Sequence, residues 1–173
     1  MALQQGWPTD DLKFQVNNDI HGLIDSVNDG STSAFMWEWF TTKPWVDAGK
    51  ARFIGSVPTP WPSWLIAAHP ERASAEAVTD ILQRLTTSVR EFDSEEKRKQ
   101  DDVDFIKDKF GYPEEDIRAW LETVKYPQNC LEIPKEVLLN TLSMLEKAGA
   151  LTAPQGGFDA NQFIGKDVVK LTY

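Results

Sequence analysis

Three prolines in five residues, Pro58, Pro60 and Pro62, constrain this chain more than any other feature. Each lacks a backbone N–H and locks φ, so neither a helix nor a central strand can run through 58–62. The segment reads as a rigid extended crossover that divides the 173 residues into two parts. It also lies within a tryptophan-rich stretch, Ala34 to His69, in which five of the chain's seven tryptophans fall between Trp37 and Trp64. Indole offers a face that stacks on planar groups and a single directed N–H donor. Interleaved with Glu38, Thr41, Thr42 and Lys43, these rings suggest the wall of a cleft rather than a core alone.

Before the crossover the pattern is α/β. Leu12 to Val16 alternates apolar and polar residues, the signature of a short strand. Asp19 can cap a helix through Val27, with Ile20, Leu23, Ile24 and Val27 on one face and Gly30 as its stop. Ala34 to Trp39 reads as a buried strand. Thr41-Thr42-Lys43-Pro44 reads as a helix start, closed by Gly49. Arg52 to Val57 is expected as a strand, and Trp64 to Ala68 as another after the crossover.

From Pro70 to Tyr126 helical spacing takes over. One helix places Ala77, Ile81, Leu85 and Val89 inward. A second opens at Ser94 with a charged, solvated face (Glu95 to Lys99), carries Val103, Phe105, Ile106 and Phe110, and stops at Gly111. A third follows Pro113 with Ile117, Trp120, Leu121 and Val124 inward. Pro134 opens a fourth, with Val137, Leu138, Leu142 and Leu145 inward and Gly149 as its stop. Val168 to Leu171 is a last short strand. The expected fold class is α/β, a short mixed sheet followed by a mostly helical C-terminal portion.

Charge and motif content narrow the function. A formal net charge of -9 argues against a nucleic-acid or anionic-membrane partner. No apolar run approaches the ~20 residues that span a bilayer. The lone cysteine, Cys130, fits a reducing compartment, and the N-terminus has no basic and apolar leader, so a cytoplasmic protein is expected. His21 and His69 lack companions at metal-ligand spacing, and Cys130 lacks a histidine partner. With no phosphate loop and no nucleophile elbow, the chain presents no catalytic constellation; no catalytic residue, metal or cofactor is expected.

The candidate binding residues are Trp37, Glu38, Thr41, Thr42, Lys43 and Trp61. On a strand, Trp37 and Trp39 share one face and Glu38 takes the other. If the tryptophans face the core, Glu38 faces the cleft, where an aminopyrimidine edge or similar N–H pair would satisfy it; a nearby Lys or Arg would do the same. Thr41, Thr42 and Lys43 at a helix start can bind an anion through free N–H groups and the ammonium. Ordinary capping with a solvated lysine is the alternative. Trp61, held by flanking prolines, can stack on a planar ligand, or pack the crossover onto a sheet.

The strings Phe35-Met36-Trp37-Glu38, Phe40-Thr41-Thr42-Lys43-Pro44, Ile54-Gly55 and Thr59-Pro60-Trp61-Pro62-Ser63-Trp64 resemble a known family. It comprises intracellular fungal and bacterial proteins of the type II periplasmic-binding-protein fold, related to the thiamine-pyrimidine synthase and substrate-binding group. The resemblance implies that the chain is about the C-terminal half of such a fold. Residues 1–57 would be part of the second lobe, 58–62 the hinge crossover, and 63–173 the C-terminal part of the first lobe. It also implies a non-catalytic module binding a planar or anionic metabolite, a thiamine-precursor pyrimidine being the preferred class. The missing sheet would come from a homodimer or from a chain supplying the first-lobe half. Two other readings stay open. One is a thiamine-pyrimidine biosynthesis enzyme, whose reactive histidine and cysteine-rich iron motif have no counterpart here. The other is a truncated, non-binding remnant or assembly partner.

Overall fold

In the computed structural model, which describes residues 1–173, the chain divides into two units, Met1–Pro58 and Thr59–Tyr173. The first unit holds three helices, α1 (Ala2–Gln5), α2 (Ile20–Asn28) and α3 (Trp39–Asp47). Asp19 caps α2 by accepting the Gly22 N–H at 2.9 Å. Ile24 and Ser26 are the buried residues of that helix. Ser26 Oγ donates to the Leu23 carbonyl at 2.9 Å, receives Asn17 Nδ2 at 3.0 Å and lies 2.9 Å from Thr32 Oγ1. A buried hydroxyl must find partners, and this one gathers the chain entering and leaving α2 around itself. Asn28 Nδ2 reaches the Lys50 carbonyl at 3.0 Å, tying the end of α2 to the chain beyond α3. Two ring contacts add to this small core. His21 meets Trp45 edge-on at 4.8 Å, and Trp39 lies on Phe53.

The second unit is helical with a minimal sheet: α4 (Ala75–Phe92), α5 (Glu95–Lys99), α6 (Asp101–Phe110), α7 (Glu114–Thr123), β1 (Glu132–Pro134), α8 (Lys135–Lys147), a 3-10 turn (Ala160–Phe163) and β2 (Lys170–Thr172). Val103 and Ile106 of α6 pack on Ile117 and Leu121 of α7, with Phe92, Tyr112, Trp120 and Val124 around them. Burial of such side chains from water is the main stabilising term, at about 1.5–3 kcal/mol each. Strands β1 and β2 run parallel, with Glu132 opposite Lys170, Ile133 opposite Leu171 and Pro134 opposite Thr172. Both an α and a β component are present, and helix dominates.

Several expectations are corrected. No strand forms at Leu12–Val16, Ala34–Trp39, Arg52–Val57 or Trp64–Ala68; the only sheet is β1–β2, and it is parallel rather than mixed. Those segments have the side-chain pattern of strands but no ladder to join, and an isolated strand has no stability of its own. The helix expected to run from Ser94 to Phe110 breaks at Gln100 (φ -148°, ψ -45°). The acids Asp101, Asp102 and Asp104 then fill the first turn of α6, where its dipole favours them. On α4 the first half of the inward row is shifted by one residue, from Ala77 and Ile81 to Val78 and Leu82, while Leu85 and Val89 lie inward as expected. Leu82 is buried and Ile81 is 60% exposed, because the neighbours reach the Val78–Leu82–Leu85–Val89 side. The last strand begins at Lys170, two residues later than expected. Its partner β1 carries too few residues for a periodic signal.

Candidate ligand site around helix α3

Helix α3 starts two residues before the threonines. Glu38 is its N-cap in extended geometry (φ -71°, ψ 141°), and Glu38 Oε2 accepts the Thr41 N–H at 2.7 Å. Its carbonyl accepts the Thr42 N–H at 3.1 Å, Thr42 Oγ1 at 2.7 Å and Thr41 Oγ1 at 3.2 Å. The strand placement of Glu38 is therefore corrected: it caps a helix and is solvent-exposed. Threonine is among the residue types preferred at helix N-caps and glutamate is not, which is why the sequence points to Thr41 first. Glu38 prevails because its carboxylate reaches the Thr41 N–H three residues on, whereas a Thr41 cap would face Pro44, which has no N–H, at the equivalent position.

Pro44 falls inside α3 rather than in its first turn. It has no N–H for the Phe40 carbonyl, so that acceptor has no intrahelical partner there. The helix ends after Asp47, and Gly49 takes the left-handed conformation (φ +68°) that lets Lys50 N–H reach the Trp45 carbonyl at 2.8 Å.

Glu38, Thr41 and Thr42 are thus brought together in one turn, with Thr42 buried beneath it. Lys43 is directed along the helix, its Nζ 2.7 Å from Asp47 Oδ2. The ammonium is therefore already charge-balanced within α3. Trp37 precedes the turn and is 56% exposed. Trp39, one residue into the helix, lies flat on Phe53, with ring centroids 3.7 Å apart and planes 4° from parallel. Trp61 belongs to the second unit, where its carbonyl accepts Thr59 Oγ1 at 3.1 Å. Chemically, the α3 turn offers an exposed indole, an exposed carboxylate and the Thr41 hydroxyl, while the Thr42 hydroxyl is buried on the Glu38 carbonyl.

Neither histidine approaches a metal-binding arrangement: His21 is packed on Trp45, and His69 Nδ1 accepts the Glu71 N–H at 3.2 Å. Cys130 is half-buried, with its N–H on Thr86 Oγ1 at 3.0 Å.

Sequence reasoning missed Arg98, placed on a solvated face. Its guanidinium pairs with Asp93 and donates to the Leu121 carbonyl and, at 3.2 Å, to the Val124 carbonyl. It closes the C-terminus of α7, whose last carbonyls lack intrahelical partners. The rigid fork of donors suits that task, but its partners are 23 and 26 residues away, so no local pattern announces it. Close by, Asp102 is buried with Oδ2 unpartnered. Burial pushes its carboxyl above the usual carboxylate range, against the pull of Arg98.

Residues 1–57 match the family described as Ca3427-like PBP. The match covers about a third of the chain and includes Trp37, Glu38, Thr41, Thr42 and Lys43, while Trp61 lies outside it. No curated protein and no solved structure matches the chain. The likeness is to substrate-binding modules of the type II periplasmic-binding-protein kind, and it falls on the unit that holds α3.

Proposed function

We propose that this chain is a non-catalytic small-molecule binding module of the periplasmic-binding-protein-like type. The match of residues 1–57 to a binding-protein family carries the reading, because it coincides with the exposed tryptophan and the Glu38–Lys43 turn. In this reading residues 1–57 are part of the second lobe, 58–62 the hinge and 63–173 the C-terminal part of the first lobe. The lone Cys130 supports a cytoplasmic setting. The ligand is a planar or anionic metabolite, with a thiamine-precursor aminopyrimidine as the preferred class. Trp37 would stack on the ring, Glu38 would accept from its N–H edge, and the exposed Thr41 hydroxyl would orient it. Lys43 would serve an anionic substituent by leaving Asp47.

The test is a tryptophan-fluorescence titration of the chain with an aminopyrimidine, then with a sulfonate and a phosphate ester. Saturable quenching by the aminopyrimidine, weakened in Glu38→Gln, is expected. Equal affinity in Glu38→Gln would remove that carboxylate from the site.

A second feature bears on how the module works. Phe14 (88%), Val16 (91%), Ile54 (76%), Trp64 (90%) and Leu65 (79%) stand in water on extended chain. Apolar residues in strand-like rows are normally covered by a neighbouring sheet. We therefore include a partner in the proposal: a chain supplying the missing first-lobe half, or a second copy in a homodimer. Sedimentation velocity of the isolated chain distinguishes them. Concentration-dependent dimers favour self-association, and a stable monomer at high concentration favours a different chain.

A further inference from the structure

The second unit holds a groove of about 440 Å³ beside the β1–β2 sheet. Three lysines line it: Lys135, the first residue of α8; Lys166, in the loop before β2; and Lys170, the first residue of β2. No acidic side chain lines it, although the chain as a whole carries a formal charge of -9. Several cations of the protein sit close to carboxylates, as in Lys43–Asp47, Lys97–Asp101 and Arg118–Glu114. The groove lysines form no such ion pair; Lys135 instead lies over the Tyr173 ring, 5.7 Å from its centroid. Asp159 feels both Lys166 and Lys135, but it is already engaged. Asp159 Oδ1 accepts the Asn161 N–H at 3.0 Å and Asn161 Nδ2 at 2.8 Å. Those bonds hold its carboxyl below the usual range, with Lys166 and Lys135 adding to the effect. The rest of the lining is apolar or aromatic, including Val169, Leu171 and Tyr173.

Three lysines around one groove with no acidic side chain in its lining raise the local positive potential, which an anion relieves. We infer that this groove binds a phosphate monoester whose body is apolar or aromatic. The three ammonium groups take the dianionic phosphate as point charges, and Val169, Leu171 and the Tyr173 ring take the body. The site lies wholly within the second unit and is independent of the α3 turn, so it holds whether or not the α3 reading does.

Phenyl phosphate is the probe, with inorganic phosphate, benzoate and phenol as comparisons, followed by amide NMR shifts of the intact chain at low ionic strength. Saturable binding of phenyl phosphate is expected, with shifts concentrated at Lys135, Lys166, Lys170 and Tyr173. Affinity should be higher than for the three comparison compounds and should fall as salt is raised. The triple variant Lys135→Gln/Lys166→Gln/Lys170→Gln should bind roughly tenfold or more weakly. The single variant Lys166→Gln, in a loop, gives the same direction without touching α8 or β2. The inference is overturned by non-saturable shifts, by benzoate or inorganic phosphate binding as tightly as phenyl phosphate, or by undiminished affinity in both variants.

Discussion

Arg98 pairs with Asp93 at the junction of α4 and α5 while its guanidinium also holds the carbonyls that end α7. Both side chains are mostly shielded, at 21% and 25% exposed, so the pair is screened less than a surface ion pair. Arg98→Met should destabilise the second unit by about 2–3 kcal/mol, since it strands Asp93 and leaves two carbonyls without donors. Arg98→Lys should recover only part of this, because one ammonium cannot reproduce the fork. Urea midpoints of the three proteins, compared at constant m, check it.

Glu38 offers a separation of stability from binding. Glu38→Ala removes the acceptor of the Thr41 N–H and should cost about 1 kcal/mol. Glu38→Gln keeps an oxygen at that place and should leave the thermal midpoint close to the parent's. A loss of aminopyrimidine affinity in Glu38→Gln, with the midpoint preserved, would therefore report ligand recognition rather than unfolding of α3.

The stacked rings of Trp39 and Phe53 join α3 to the chain that follows it. A double-mutant cycle with Trp39→Leu and Phe53→Leu should give a coupling of about 0.5–1.5 kcal/mol. Additive effects would mean the two rings do not interact in solution.

Asp102 makes stability depend on pH in a direction opposite to most carboxylates. Its folded pKa is raised by burial, so the folded state holds the proton more tightly than the unfolded chain. This group's favourable contribution is complete below the unfolded carboxylate pKa of ~3.9 and is lost as pH rises through the folded value. Asp102→Asn removes the ionisable group and should raise the melting temperature at pH 7 by a few degrees, the lost attraction to Arg98 limiting the gain. Near pH 3 the variant and the parent should melt alike. A variant less stable than the parent at pH 7 would show that attraction to Arg98 outweighs the burial.

The helices of the second unit were legible because their signals are local. Ser94 caps α5, Gly111 stops α6 with φ +73°, and the buried Ile117 and Leu121 stand four apart on α7. The strands were not, because alternation shows only that a segment suits a sheet. Val16 and Ile54 alternate as well as any strand residue, yet both stand in water. At the α3 site the sequence marks Trp37, Glu38, Thr41 and Thr42 as neighbours. That Glu38 is a cap, and that Lys43 turns to Asp47, depends on where the helix begins.

The sequence by itself determined the break at Pro58–Pro62, the helix-forming character of the second unit and the overall acidity. These follow from backbone stereochemistry, periodicity and charge, which act over a few residues or over the whole composition. Only the tertiary structure decided that Arg98 closes α7 from more than twenty residues away, that Asp102 is buried beside it, and that Lys135, Lys166 and Lys170 line one groove. Each of these depends on segments far apart in the chain meeting in space, and neither propensity nor spacing encodes such a meeting.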